Sequence, residues 1–320
     1  MTPAAPPSDS IETAGASRVA AALRGAGLWF DVGIVTVRVR SNADALASQL
    51  TSVYRHFPFV AAADWADLHV ELPLPWSIRR WLRPQVHFRC DGQAPFEPFP
   101  ADMPLPLMEW GANWLIGRRI NDVLLLHASI VERDGLALVM PALPGSGKST
   151  LSAALSLRGW RLLSDEFGAF DPEKQAFRAA LKPVALKNAS IGVIRAFAPQ
   201  AQIGPEFPKT RKGTVAHLSA SPEAVARVHE TARPGAIVLP RWQAGSPTRW
   251  EPVQEQVVFS ALAFNAFNYS VLGAVGFRAV TALVRQCPAW QLIYSDLDEA
   301  LGMLAERWPA VVARQSSARS

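Results

Sequence analysis

The sequence predicts an α/β protein with a mixed sheet, and three observations support this prediction. In the second half of the chain, two apolar segments are joined by Asp134 and Gly135, a pair typical of a two-residue β-hairpin turn. A glycine-rich loop and a helical pattern over residues 148–158 follow the second of these segments directly. In the first half, apolar and polar residues alternate over residues 28–40, 66–72 and 85–91, which predicts half-buried strands.

The composition is that of a folded protein of about two domains. The chain has 320 residues, of which 49% are hydrophobic, and this excludes a disordered, collagen-like or disulfide-scaffold protein. The net charge is +5, but 26 of the 32 basic residues are arginine. Such an excess typically reflects codon composition, so we expect no nucleic-acid partner. A basic stretch with tryptophans at residues 76–89 could suggest a nucleic-acid patch, but such segments also pack as ordinary amphipathic surface, and we interpret it in that way.

The sequence predicts a cytoplasmic protein that does not enter a membrane. Cys90 and Cys287 have no metal-binding or redox spacing and fit a reducing compartment. The first residues lack the charged and apolar regions of a signal peptide. Residues 257–277 are uncharged and apolar over about the length of a membrane span, but asparagine, tyrosine and small residues interrupt them. We therefore expect a buried helix there.

The N-terminal region is predicted to form a small α+β domain. Residues 1–15 are expected to be a disordered tail, and Ser41 is placed to cap a helix with an apolar face. A proline-rich segment then marks a boundary, so we predict domains over residues 16–104 and 105–320. The second domain is expected to open with a helix over residues 107–119.

A phosphate-binding loop is the strongest motif. Residues 142–149 read ALPGSGKS, which matches the Walker A pattern except that Ala142 replaces the first glycine. Small residues let successive backbone N–H groups curl around a phosphate, while the lysine reaches the β- and γ-phosphates and the serine ligates Mg²⁺. A Gly/Ser turn without function is disfavoured by the apolar strand before the loop and the helix after it. The predicted nucleotide-binding residues are Gly145, Ser146, Gly147, Lys148, Ser149 and Thr150.

Two adjacent acids, Asp165 and Glu166, end a short apolar strand downstream of the loop. A carboxylate at such a strand end lies beside the metal and the γ-phosphate in nucleotide-binding folds. Because neighbouring side chains point in different directions, one acid can meet the metal or the attacking hydroxyl while the other orients. Ser149, Asp165 and Glu166 are therefore the predicted metal ligands, and a pair of helix-capping acids is the alternative.

The predicted hairpin register gives His127 its surroundings. With Asp134 and Gly135 as the turn, His127 faces Ala142, the first residue of the phosphate loop. An imidazole at this position is predicted to approach the γ-phosphate and Asp165, where it would orient the base or carry a proton. Without that register, a histidine on an apolar strand would be expected to be an ordinary core residue.

The later part of the chain gives weaker signals. Strands are predicted near residues 184–186 and 236–239, with a loop rich in Pro, Lys and Gly around residues 204–213. The C-terminal residues are predicted to be mostly helical.

Residues 124–171 resemble the HPr kinase/phosphorylase superfamily, whose nucleotide-binding fold is related to that of ATP-dependent phosphoenolpyruvate carboxykinase. The resemblance rests on the His-bearing strand, the antiparallel hairpin that leads into the phosphate loop, the element RGWRL and the paired acids. The hairpin is the discriminating feature, because most P-loop enzymes lead into this loop from a parallel sheet. The chain is most similar to the branch called HPr-related kinase A, through the segments LKNASIGVIRAFAP, GPEFPKTRKGTVAHL and NAFNYS.

The resemblance implies a P-loop core of this type, ATP and Mg²⁺ as cofactors, and transfer of the γ-phosphoryl group to a hydroxyl, expected to be a serine of a protein or peptide. Asp165 would accept the hydroxyl proton with His127 and Lys148 assisting, and Glu166 would lie near the metal. The Gly-rich signature that follows the paired acids in HPr kinases is not recognisable, so HPr itself is not the expected acceptor. The related kinases are oligomeric, which raises the expectation of a homo-oligomer.

Two lysines, Lys187 and Lys212, lie in the segments that stand in place of that signature. Cations over a triphosphate stabilise the charge that develops in phosphoryl transfer, so both are candidate nucleotide-binding residues. A solvated basic loop is the alternative.

Two other functions remain open on the sequence. One is a small-molecule kinase or carboxykinase-like enzyme, whose acceptor would saturate the purified protein without a partner. The other is a non-catalytic ATP-binding sensor or assembly protein, which would bind ATP tightly without transferring phosphate. The presence of Asp165 and His127 together with Lys148 weighs against the sensor.

Overall fold

The computed structural model describes residues 9–76, 82–141 and 145–317, and its N-terminal region combines helices with a small sheet. In this sheet the first two strands pair antiparallel, and the second and third pair parallel. The elements are α1 (Ile11–Arg24), β1 (Leu28–Asp31), β2 (Thr36–Ser41), α2 (Asp44–Val53) and β3 (Leu68–Leu72).

The structure differs from the N-terminal prediction in three places, one of which is the strand predicted over residues 85–91, where only Gln85–Val86 forms a regular strand. Residues 28–40 form two strands rather than one, because the chain turns between β1 and β2 at Gly33, whose φ is 100°. Helix α1 begins at Ile11, inside the stretch predicted as a disordered tail. Ser10 caps this helix, since its Oγ accepts a hydrogen bond from the backbone N–H of Thr13 at 3.2 Å.

A long helix connects the N-terminal region to the rest of the chain. The short strands β4 (Gln85–Val86) and β5 (Phe99–Pro100) pair antiparallel, and α3 spans Pro104–Arg119, which confirms the helix predicted there. Residues 77–81 of the basic stretch lie outside the described residues. Helix α3 packs so closely that a Cβ on its Gly111 would lie 1.9 Å from the ring of Phe88.

The larger region contains the remaining elements and begins with the predicted hairpin. In chain order they are β6 (Leu124–Arg133), β7 (Leu136–Pro141), α4 (Lys148–Ser156), β8 (Arg161–Ser164), β9 (Phe167–Asp171), β10 (Ala176–Arg178), β11 (Val184–Lys187), α5 (Ala189–Phe197), β12 (Phe207–Thr210), β13 (Gly213–Leu218), α6 (Pro222–Ala226), β14 (Arg233–Trp242), β15 (Arg249–Pro252), α7 (Glu255–Phe264), α8 (Tyr269–Leu272), α9 (Ala274–Gln286), β16 (Ala289–Tyr294) and α10 (Leu297–Ser317).

The central sheet is mixed, which confirms the predicted α/β class with a mixed sheet. Its strand order is β10-β9-β6-β7-β14-β16-β15, and β8 also pairs with β6. Strands β6 and β7 are antiparallel with Arg133 opposite Leu136 and Ala128 opposite Pro141, while β14 is parallel to both β7 and β16. The predicted hairpin register is therefore confirmed up to Ala128; its next pair, His127 with Ala142, involves a residue outside the described ranges.

Strands that were not expected from the sequence include the pairs β12–β13 and β9–β10, and the single strand β16. The loop predicted around residues 204–213 is a hairpin, β12–β13, which forms a separate sheet with β11. Strands β9 and β10 extend the central sheet, and β16 lies in the C-terminal part that was predicted to be mostly helical. Each of these strands is short, and short apolar runs give no period that separates a strand from a helix.

The apolar segment 257–277 is not a single buried helix. It is divided among α7, α8 and α9, and it leaves Phe264 91% and Val271 69% exposed. The side chain of Asn268 explains one break, because its Oδ1 accepts from the backbone N of Leu125 at 3.0 Å and its Nδ2 donates to the carbonyl of Val123 at 2.8 Å. No helix in the described parts of the chain combines the length and apolar character that a membrane span requires.

A continuous cluster of buried apolar side chains runs from Ile11 in α1 to Val311 in α10. The two predicted domains therefore pack into a shared core, and α3 lies between them. This packing brings residues on both sides of the predicted boundary to the same site.

Candidate active site

The glycine-rich loop lies between the end of β7 and the start of α4, as its sequence predicts. Residues 142–144 are outside the described ranges, and the described part begins at Gly145. Gly145 and Gly147 have φ values of 85° and 90°, a backbone conformation that side chains with a Cβ rarely adopt. Gly147 is the residue that precedes the first turn of α4, so the loop presents the N-terminus of this helix.

Two aromatic residues from distant strands hold the loop in place. The backbone N of Trp242, at the end of β14, donates to the carbonyl of Ser146 at 2.8 Å. The hydroxyl of Tyr294, at the end of β16, donates to the carbonyl of Gly147 at 3.2 Å, and burial raises the pKa of this tyrosine. A Cβ on Gly147 would lie 2.5 Å from that hydroxyl, so the close contact requires glycine.

The loop carries polar groups that lack protein partners. Within the described ranges, nothing accepts a hydrogen bond from the backbone N–H of Gly145, Ser146 or Gly147. The Oγ of Ser146 is buried and is likewise without a partner among those residues. Unpaired backbone donors beside the start of a helix fit a phosphate, whose oxygens accept such bonds at helix N-termini.

Asp165 lies in a buried network with Lys148 and two serines. Its Oδ1 accepts hydrogen bonds from Ser129 Oγ at 2.5 Å and from Ser152 Oγ at 2.9 Å. The ammonium of Lys148 donates to the Asp165 carbonyl and lies 3.8 Å from Oδ1. In the described residues no group bonds to Oδ2, so this oxygen is available to accept a proton.

Of the two adjacent acids, Glu166 lies nearer to His127 than Asp165 does. The Nε2 of His127 lies 3.8 Å from Glu166 Oε1, and no contact with the Asp165 side chain accompanies it in the described structure. Burial, followed by the charge of Lys148, lowers the pKa of His127, so the imidazole is neutral at neutral pH. Burial opposes ionisation of Glu166, but nearby positive charge, chiefly that of Lys148, outweighs it and lowers the pKa of the carboxyl.

All eight predicted nucleotide-binding residues line one large cavity of about 870 Å³. Helix α5 and the segment 294–298 form its far wall. This volume is in the range of about 300–1,000 Å³ that small-molecule and cofactor sites occupy. The predicted residues brought together here are His127, Gly145, Ser146, Gly147, Lys148, Ser149, Thr150, Glu166, Lys187 and Lys212.

Asp165 lines a small cavity of about 190 Å³ on the other side of the acid pair. Glu166, Lys187 and Lys212 line both cavities, so the two spaces meet at these side chains. Burial and then the charge of Lys212 lower the pKa of Lys187. Asn188 fixes the turn that carries Lys212, because its Nδ2 donates to the Lys212 carbonyl at 3.3 Å.

A Mg²⁺ ion fits the donors of the large cavity only with help from a nucleotide. The described residues contain no group of three or more His, Cys, Asp or Glu that could hold a metal by itself. Mg²⁺ typically binds one or two carboxylates together with phosphate oxygens and waters, and Ser149 and Glu166 supply a hydroxyl and a carboxylate there. Of the predicted ligands, Asp165 is the one whose side chain faces the small cavity instead.

Several residues of the site were not found from the sequence. They are Ser129, Ser152, Trp242 and Tyr294, together with the walls of the small cavity. Ser129 lies on the same strand as His127 and Ser152 on the helix that follows the loop, so a search for hydroxyl groups next to these motifs could have suggested them. Trp242 and Tyr294 give no local signal, because their contacts with the loop depend on how β14 and β16 pair.

Comparison of the chain with models of known protein families found no match, and comparison with curated proteins also found none.

Proposed function

We propose that the protein is an ATP- and Mg²⁺-dependent kinase that transfers the γ-phosphoryl group to a hydroxyl. The observation that supports this most directly is the arrangement of Lys148 between a phosphate-type loop and Asp165. A carboxylate with one free oxygen beside such a loop is what hydroxyl activation needs. The motif resemblance to the HPr kinase superfamily points to the same chemistry.

In this proposal each group has a defined task. The N–H groups of the loop and Lys148 bind and neutralise the phosphates, and the cations Lys187 and Lys212 add positive charge where it develops. Mg²⁺, bound near Ser149 and Glu166, would supply further charge neutralisation. The Oδ2 of Asp165 accepts the acceptor's proton, while the neutral His127 orients Glu166.

The decisive experiment separates nucleotide binding from phosphoryl transfer. We expect Lys148→Ala to abolish ATP turnover, since it removes the cation at the phosphates. Asp165→Asn should retain ATP affinity within about twofold and lower transfer by about 10²–10⁴-fold, the usual contribution of a general base. Binding is measured by calorimetry and transfer with γ-labelled ATP.

Lys174→Ala is the matched control, because Lys174 is a lysine whose side chain is 66% exposed and which lines neither cavity. It should leave both readouts at the wild-type level. Wild-type transfer by Asp165→Asn would show that the base is assigned incorrectly. Tight ATP binding by the wild type with no transfer to any component of a cell extract would favour an ATP-binding sensor instead.

A further inference from the structure

The small cavity is separate from the phosphate loop but reaches the same acids. None of the loop residues that the structure describes, from Gly145 onward, lines it, whereas Asp165 and Glu166 both do. The loop lies on the large cavity, Asp165 lines the small one and Glu166 lines both, so the acid pair lies where the two spaces meet. A hydroxyl that Asp165 deprotonates therefore approaches from the small cavity.

The size of the small cavity indicates what enters it. At about 190 Å³ it is somewhat larger than an engineered cavity of about 150 Å³ that binds benzene. A serine side chain, with two heavy atoms, would leave most of this space empty. A metabolite-sized molecule would fill it and contact its walls.

The walls of the small cavity include a cation with a carboxylate partner, Lys182, and one that has none among the described residues, Arg211. Lys182 is already neutralised, because its Nζ donates to Glu109 Oε2 at 2.9 Å. Arg211 instead stacks over the ring of Trp110 at 5.2 Å and has no carboxylate partner in the described part of the chain. A guanidinium that lies over a ring and has no carboxylate partner keeps N–H donors available for an anion.

A buried imidazole adds an unsatisfied polar group. His217 lines the small cavity and is 3% exposed, and its Nδ1 has no hydrogen-bond partner among the described residues. Burial is the main cause of its lowered pKa, so the ring is neutral. Unpaired buried polar atoms of this kind are rare in proteins. Because Nδ1 is itself covered by protein atoms, His217 meets the cavity through other atoms of its ring.

We propose that the small cavity binds the acceptor, and that the acceptor is a small molecule carrying both a hydroxyl and an anionic group. This inference rests on the proposed function and narrows it from the serine of a protein, which the motif resemblance suggested, to a molecule that enters whole. Its hydroxyl faces Asp165, its anionic group pairs with Arg211, and its carbon skeleton lies against Trp110.

The reaction in this arrangement is a balanced phosphoryl transfer. The acceptor oxygen forms a bond to the γ-phosphorus while the bond from that phosphorus to the β,γ-bridging oxygen breaks. The hydroxyl proton passes to Asp165 Oδ2 and then to solvent, and ADP leaves through the large cavity.

The test uses the full chain, γ-labelled ATP with Mg²⁺, and an extract of the native cells divided by ultrafiltration into metabolites and macromolecules. We expect an organic phosphate labelled in the metabolite fraction and no labelled macromolecule. Arg211→Ala should lower the initial rate at limiting dilution of that fraction by about tenfold or more, the loss of one charge-assisted hydrogen bond. Its KM for ATP should stay within about twofold of wild type.

Arg118→Ala is the matched control. Arg118 also lies over a tryptophan, Trp114 at 5.0 Å, and is exposed, but it lines neither cavity. It should behave as wild type in both assays. Because Arg211 is exposed as well, its removal is not expected to unfold the protein.

Each contradictory outcome has a separate meaning. Label in a protein or peptide, with none in a metabolite, would overturn the small-acceptor proposal while the kinase proposal stands. If Arg211→Ala raised the KM for ATP and left the rate with the acceptor fraction unchanged, Arg211 would contribute to nucleotide binding. That result would overturn the proposal. Absence of label from both fractions, with ATP bound, would contradict the kinase function itself.

Discussion

Two serine hydroxyl groups hold the carboxylate of Asp165 in place. Ser129 and Ser152 both donate to Oδ1, and both are completely buried. With this oxygen engaged, the carboxylate cannot rotate freely, and Oδ2 keeps a fixed direction. The serines thus act through Asp165 as positioning residues and touch no substrate themselves.

We expect Ser152→Ala to lower kcat by about tenfold, because a hydrogen bond to a charged group contributes about 1.5–3 kcal/mol. The KM for ATP should stay within about twofold, since the phosphate loop is unchanged. Steady-state kinetics with γ-labelled ATP measures both values. Ser129→Ala should likewise lower kcat and leave the KM for ATP nearly unchanged.

Ser156→Ala on the same helix is the control for this prediction. The Oγ of Ser156 donates to the carbonyl of Ala153 at 2.8 Å and does not reach Asp165. If Ser152→Ala and Ser156→Ala lowered kcat equally, the cause would be an effect on helix α4 rather than on the carboxylate of Asp165.

At the scale of elements, the phosphate loop depends on strands that are far from it in the sequence. Strand β14 runs parallel to β7 and to β16, so the ends of β14 and β16 arrive beside the loop. Trp242 and Tyr294 occupy these ends and bind the carbonyls of Ser146 and Gly147. The loop conformation is therefore a property of three neighbouring strands.

Gly147→Ala should weaken ATP binding by about tenfold or more. A residue with a Cβ in this backbone conformation costs about 1–3 kcal/mol, and here the Cβ also meets the Tyr294 hydroxyl. Calorimetric titration with ATP measures the loss. Gly159→Ala is the control, since its φ is 85° but nothing lies within 4 Å of an added Cβ.

Both glycine variants should lose stability through backbone strain, and only Gly147→Ala should lose ATP affinity. If Gly159→Ala weakened ATP binding as much, strain in α4 rather than contact with Tyr294 would be responsible.

The segment 265–268 is a second element-scale feature of the site. Strand β6 extends beyond the end of β7, and this segment covers the exposed part of its edge through a bridge between Leu126 and Ala266. The backbone N of His127 donates to the carbonyl of Asn265, and the ring of His127 lies 5.7 Å from that of Phe267. A segment that was expected to be an internal stretch of helix thus positions the histidine.

At the scale of the whole molecule, one buried chain of polar groups joins the N-terminal region to the site. The hydroxyl of Tyr54, which ends α2, donates to Glu109 on α3, and Glu109 pairs with Lys182 just before β11. Glu109 and Lys182 are each 8% exposed. Burial opposes the charge of Glu109, but the charge of Lys182 and the hydrogen bonds from Tyr54 and Lys182 prevail and lower its pKa.

Glu109→Gln should destabilise the protein by about 3–5 kcal/mol, because it leaves the buried ammonium of Lys182 without a counter-charge. The double variant Glu109→Gln, Lys182→Met should recover most of this loss. Denaturant unfolding measures the free energies. Glu206→Gln is the control, since the ion pair of Glu206 with Arg195 is about half exposed and contributes about 0–1 kcal/mol.

If Glu109→Gln lowered the free energy of unfolding no more than the Glu206→Gln control does, the polar chain of Tyr54, Glu109 and Lys182 would not stabilise the fold. A double variant less stable than Glu109→Gln would instead show that the ammonium itself is required.

The parts of the fold that were predicted correctly rest on local signals. The turn at Asp134 and Gly135 sets the register of β6 and β7, and the start of α4 follows from the glycine-rich loop. Strand β16 and the hairpin β12–β13 were missed, since their residues have no distinctive period and their stability depends on neighbouring strands. The edge role of residues 265–268 was missed for the same reason.

The sequence by itself determined the loop, the hairpin and the acid pair, because turn chemistry and periodicity act over a few adjacent residues. Only the tertiary structure decided that His127 lies against Glu166 and that Asp165 faces a second cavity. It also decided which cations stay unpaired, since Arg211 meets Trp110 and Lys182 meets Glu109 across distances of about a hundred and about seventy residues. Cavity walls and charge pairs are made by chain packing, and no local pattern encodes them.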